Sequence, residues 1–177
     1  MTRQHLAGAI ARAQTVLSRR PELGLHDDPA ATARWQSGTR VVASHENGIQ
    51  VVSDMPREIG GSGDQVTPGW LFRAGLASCA ATAIAMSAAT AGIELTQLEI
   101  VASSRSDARG VLGMSDAEGK PVFAGPTEVQ LLVRISANGV TPDRLRSLVR
   151  EACRCSPVPA ALENAIPLVL RIEPGSA

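Results

Sequence analysis

Three cysteines carry most of the chemical potential of this 177-residue chain: Cys79, alone in the middle of a small-residue run, and the pair Cys153 and Cys155. An odd number of cysteines in a chain without a secretory leader argues against a disulfide framework and leaves thiol chemistry or inert burial. The thiolate is the reactive form, so a nucleophilic cysteine needs a cation or a similar stabiliser beside it. Cys79 falls about three turns into a predicted helix, beyond reach of the helix N-terminal partial charge. Arg73, six residues upstream, points well around the helix from it. Arg34, Arg40, Arg105 and Arg109, on predicted strands and loops, are better placed to supply the cation. The alternative is that Cys79 is a small buried hydrophobe. Cys153 and Cys155, two apart, project from nearly opposite sides of a helix and would not chelate a metal together. With only three scattered His, no metal site and no cofactor are expected.

The element that positions Cys79 is the run from Thr67 to Ile93, apolar or small on every face. A helix without a polar stripe must be enclosed by protein or lipid. Lipid is disfavoured by Arg73 within the run and by the lack of a flanking basic loop. Thr67 suits the N-cap, Pro68 the first helical position and Gly92 the left-handed C′ position. Gly75, Ala77, Ala80 and Ala81 leave room for another helix to approach closely, from this chain or a second subunit.

Around this helix the pattern is α+β. Residues 1–28 read as an amphipathic helix, with Leu6, Ile10, Ala13 and Leu17 at helical spacing, followed by a polar linker. Its expected role is docking on the core, with cover of a pocket mouth or of a dimer as alternatives. Residues 29–177 form the main domain. Asn47-Gly48 between Val41-Val42 and Val51-Val52 marks a hairpin, and residues 60–64 a plain glycine loop. A strand is predicted over Leu98–Ser104. The alternation of Thr127, Val129, Leu131, Val133 and Ile135 with mostly polar neighbours predicts another, in an antiparallel sheet with one wet face. A second helix starts at Thr141-Pro142 and ends before Pro157, with Leu145, Leu148, Val149 and Ala152 on one face. Continuing that face brings Ser156 toward the core, flanked by the two thiols. A last strand is expected over Ile166–Ile172. A homodimer whose central helices shield each other would cover what one sheet cannot.

Lys+Arg and Asp+Glu each number 17, so no net field draws in nucleic acid or an anionic membrane. Two Phe, two Trp and no Tyr remove the stacking platforms of single-strand binders. The arginine-dotted N-terminus has no apolar signal core, so the cytoplasm is the expected location, with neither nucleic acid nor membrane as partner.

Thr67-Pro68 opening a helix with Leu76-Ala77-Ser78-Cys79, then Ala91-Gly92-Ile93, Leu98-Glu99-Ile100, Asp107 with Arg109-Gly110, and Ser156-Pro157-Val158 followed by Leu162 resemble the OsmC/Ohr family. The likeness spans about residues 31 to 173. It implies an intertwined α+β homodimer with sites at the subunit interface, in which one cysteine attacks an organic hydroperoxide and a second closes a disulfide that a dithiol reductant reopens. The resemblance assigns Cys79 to the attacking position and places the stabilising cation in the first strands, where Arg40 is the nearest match; Arg109 is the alternative cation. It differs where the family has its second cysteine, here Ser156 with Cys155 one residue earlier, and where the family's Glu beside the cation corresponds to Gly69. Two functions follow. One is a thiol peroxidase using Cys79, Cys155 and Arg40 or Arg109; the other is a non-catalytic dimer that binds an apolar ligand or senses redox state.

Overall fold

The protein is described by a computed structural model covering residues 3–164 and 166–175. Helix α1, Arg3–Arg19, is followed by a 3₁₀ turn and then by strands β1, Thr32–Ser37, β2, Arg40–Ser44, and β3, Gln50–Ser53. These form a three-stranded antiparallel sheet in sequence order. The β2–β3 hairpin closes at Asn47-Gly48 as expected: Gly48 adopts φ 89°, and the Asn47 side chain accepts from Ile49 N–H at 3.1 Å.

Helix α2, Pro68–Thr90, is the predicted Cys79 helix. Thr67 Oγ1 accepts from Trp70 N–H at 3.1 Å, an N-cap worth about 1 kcal/mol. At the other end Gly92 takes φ 69° and donates to Ala89 C=O, while Ile93 donates to Ala88 C=O, the paired bonds of a Schellman motif. By length and composition α2 could cross a membrane; in this fold it is the axis of the molecule. Strand β4, Leu95–Arg105, then helix α4, Pro142–Arg154, and the short α5, Pro157–Glu163, pack on it, and so does α1. Its inner face buries Leu76, Ala80, Ile84 and Ala88, and α4 adds Leu148. Burial of each large aliphatic side chain contributes about 1.5–3 kcal/mol.

Strands β4 and β5, Glu128–Ala137, make a second antiparallel ladder, with Leu98 opposite Ile135 and Ser104 opposite Val129. Along β5 exposed and half-buried residues alternate, and Leu132 lies on the wet face as its position predicts. The connection between them holds α3, Ala108–Val111, capped by Asp107. The architecture is the predicted α+β arrangement of helices on antiparallel sheets.

The second helix ends before Pro157 as expected, a further short helix that the sequence reading did not foresee starts at Pro157, and one expectation changes. Residues 166–172 form no strand; they have no regular secondary structure and are exposed, with Leu168 93% accessible. A strand exists only by pairing, and among the described residues of the protomer no sheet edge pairs with this segment.

The protomer leaves 13198 Å² accessible. A folded monomer of 18.4 kDa exposes about 8,200 Å². The excess is apolar in part, including Trp35, Phe123 and the Ile166–Ile172 segment. On α2, Trp70, Phe72 and Ser78 are likewise exposed.

Candidate active site around Cys79

Cys79 stands on the flank of α2 that faces the α4–α5 junction. Helix α4 ends at Arg154, Cys155 is its C-cap and Ser156 is the N-cap of α5. This abrupt turn, enforced by Pro157 at the first position of α5, directs the Ser156 side chain inward, where it is fully buried. Its hydroxyl donates to Cys79 Sγ at 3.2 Å, and the backbone N–H of Val158 donates to the same sulfur at 3.5 Å. Two donors thus converge on one sulfur. The face periodicity of α4 foresaw an inward Ser156, but not the second donor, because α5 was not legible as a helix.

The sulfur lines a cavity of about 840 Å³ between α1, α2 and α4. On α2 its wall is the stripe that runs from Cys79 through Thr82, Met86 and Thr90, three or four residues apart. Helix α4 contributes Leu148, with Arg144 and Glu151 in an ion pair at 3.9 Å, and Cys155 closes the stripe below them. Helix α1 supplies Ile10 and Gln14. Cys79 and Cys155 thus open on one space. Cys153 turns away, half-buried, and burial first, with Glu163 second, pushes its thiol up from the ordinary value.

Arg144, Glu151 and Gln14 were missed in the sequence, while Ile10 lies on the helix whose cover of a pocket mouth was an alternative reading. The signal was available for α4, since Arg144, Leu148, Glu151 and Cys155 recur at helical spacing. Nothing local to α1 tells which element it meets. A second groove of about 720 Å³ lies between β5 and α4, but it carries Arg134, Arg146 and Arg150 and no thiol, so it lacks the chemistry of the first.

The two arginines nominated as cations sit elsewhere in the protomer. Arg40 donates to Asp64 and to Ser62 Oγ, with Asp54 at 3.5 Å. The bond to Asp64 is the main reason its guanidinium is raised above its ordinary value. Asp54, nearly inaccessible, accepts from Thr39 Oγ1 at 2.5 Å, Ser62 Oγ at 2.5 Å, Ser62 N–H at 3.1 Å and Met55 N–H at 2.8 Å. These bonds, the Ser62 hydroxyl first, hold its carboxyl far below the usual carboxylate range. Arg109 clasps Asp107 through Nε and Nη2, at 3.1 and 2.6 Å, and this fork lowers the Asp107 carboxyl to about 2. Arg73 donates to Ser104 Oγ at 3.1 Å, which ties α2 to β4. Gly69, at the first turn of α2, brings no carboxylate; a Cβ there would lie 3.7 Å from the Arg73 guanidinium and 3.9 Å from the Thr67 hydroxyl.

Comparison with solved structures finds the same fold repeatedly at low identity. An OsmC-like protein from Mycoplasma pneumoniae is 15% identical, with a TM-score of 0.65 over 80% of this chain and 91% of that one. An OsmC-like protein of unknown function from Vibrio cholerae is also 15% identical, with a TM-score of 0.63 over 78% and 95%. An organic hydroperoxide resistance protein OsmC from Legionella pneumophila is 23% identical, with a TM-score of 0.53 over 77% and 91%. No curated protein matches the chain by sequence. The sequence profile of the OsmC-like proteins matches residues 61–171, the stretch that holds α2, both long strands, α4 and α5, and the chain therefore belongs to the OsmC-like protein family.

Proposed function

We propose that the protein is a thiol-dependent peroxidase that reduces organic hydroperoxides through Cys79. The observation that carries this reading is the Cys79 sulfur itself, which accepts from Ser156 and Val158 and opens on a cavity shared with Cys155. The Cys79 thiolate attacks the terminal peroxide oxygen. The O–O bond breaks, the alkoxide takes a proton to leave as alcohol, and Cys79 becomes a sulfenic acid. The Cys155 thiol then attacks the sulfenic sulfur, water departs, and a Cys79–Cys155 disulfide forms. An external dithiol reductant returns both thiols by exchange.

Arg40 or Arg109 serves as the cation in this reading. Within one protomer each is held on a carboxylate away from the sulfur, so the guanidinium is supplied across an interface between two copies. A homodimer agrees with the protomer's surplus accessible surface and with the exposed Trp70 and Phe72 of α2. Three free cysteines suit a reducing compartment such as the cytoplasm.

A second reading, a non-catalytic dimer that holds an apolar ligand or senses redox state, is favoured by the hydroxyl of Ser156, which stands where the family resemblance places a second thiol. One experiment separates them. Intact mass is recorded after a one-equivalent pulse of an organic hydroperoxide, on wild type, Cys79→Ser and Cys155→Ser. The peroxidase reading expects loss of two hydrogens in wild type, an added oxygen in Cys155→Ser, and hydroperoxide turnover with a dithiol that Cys79→Ser abolishes. Unchanged wild-type mass, or equal turnover by Cys79→Ser, leaves only the binding reading.

A further inference from the structure

Helix α1 lies outside the residues 61–171 that match the family, yet it builds part of the thiol cavity. It packs on α2, and its stretch from Leu6 to Ile10 is half-buried while residues 11–19 are exposed. Leu6, Ile10 and Gln14 recur every four residues and so share one face of the helix. The first belongs to the half-buried stretch, and the last two line the cavity.

The cavity is long rather than round. Its α2 wall extends from Cys79 to Ala91, a rise of about 18 Å at 1.5 Å per residue. Arg144, near the start of α4, marks the end remote from Cys155. Access to the sulfur along this trough is bounded on one side by α4, which is anchored in the core through Leu145, Leu148 and Ala152. The other side is α1, which has a single half-buried stretch. Within the protomer the width of the trough is therefore set by α1.

We propose that α1 is a specificity wall: Ile10 and Gln14 determine how bulky an organic molecule can be and still reach Cys79. The identity of that molecule as a hydroperoxide rests on the function proposed above; the wall itself does not. Ile10→Trp narrows the trough, Ile10→Ala widens it, and Gln14→Trp tests the same side from a more exposed position that places less demand on folding.

The test is alkylation of Cys79 in the full chain by two maleimides of one reactivity class, N-ethylmaleimide and N-(1-pyrenyl)maleimide, followed as the modified Cys79 peptide by mass spectrometry. Ile10→Trp and Gln14→Trp should slow the pyrenyl reagent about tenfold and the ethyl reagent less than about twofold, the range over which a pocket discriminates by size. Ile10→Ala should speed the pyrenyl reagent. Equal changes for both reagents, or no change in either, overturn the proposal. If hydroperoxides are consumed, the kcat/KM ratio of cumene hydroperoxide to tert-butyl hydroperoxide should move in the same direction in each variant. A chain that consumes neither ends the peroxidase reading, and the maleimide ratio still decides the role of α1.

Discussion

The contact between Ser156 and Cys79 can be converted into a covalent bond. Ser156 Oγ is 3.2 Å from Cys79 Sγ, and a disulfide needs about 2.0 Å, so closing the bond asks about 1 Å of movement from two side chains. Ser156→Cys in a Cys155→Ser background makes the introduced thiol the nearest partner for Cys79 and removes the competing one. The cross-link would join residues 77 apart. In the chain-entropy description, a loop of that length loses enough unfolded-state freedom to stabilise the oxidised form by about 4.5 kcal/mol. For a chain of this size each kcal/mol moves Tm by about 2–4 °C, so oxidation should raise Tm by about 9–18 °C. The variant is oxidised with diamide, which makes the result independent of any peroxidase activity. It is then digested without reduction for peptide mapping, and melted with and without dithiol. If no peptide linking positions 79 and 156 appears, residue 156 does not face the sulfur and the site geometry is wrong. If the link forms without a rise in Tm, the entropic magnitude is wrong.

Acid stability should report the carboxylates held around Arg40 and by Arg109. A carboxylate whose folded value lies below its unfolded one stabilises fully above the unfolded value and loses that stabilisation as pH falls through the folded one. Asp54, Asp64 and Asp107 are all lowered, so wild type should begin to lose stability below roughly pH 4 and continue down to about 2 and lower. Asp54→Asn should lower Tm at neutral pH and flatten this acid limb; a limb of unchanged steepness by circular dichroism would show that Asp54 does not drive it. Gly61 is held by close backbone approach: a Cβ there would lie 1.7 Å from Met55 C=O. Gly61→Ala should therefore destabilise by about 1–3 kcal/mol or more, read as a lower urea midpoint, and an unchanged midpoint would refute the crowding.

Local patterns carried much of the fold. Thr67, Pro68 and Gly92 bounded α2 because caps are chemistry between residues a few positions apart. Asn47-Gly48 defined a hairpin for the same reason, and the alternation along residues 127–136 revealed a one-faced strand because side chains point to alternate sides of the pleat. The segment 166–172 misled, since β-prone composition identifies a strand only if an edge is available to pair with it, and that is a property of other residues.

The site divides in the same way. Residue type and helical spacing within the chain established that a thiol sits inside a helix of mostly apolar and small residues and that Ser156 points toward the core. Which donors reach the sulfur, that Cys155 opens on the same cavity, that Arg40 and Arg109 are engaged by Asp64 and Asp107, and that Ile10 and Gln14 wall the trough were decided only by tertiary packing. Each of these last facts depends on how separate elements meet, and no short-range periodicity encodes the distance between elements that the chain brings together only when it buries its core.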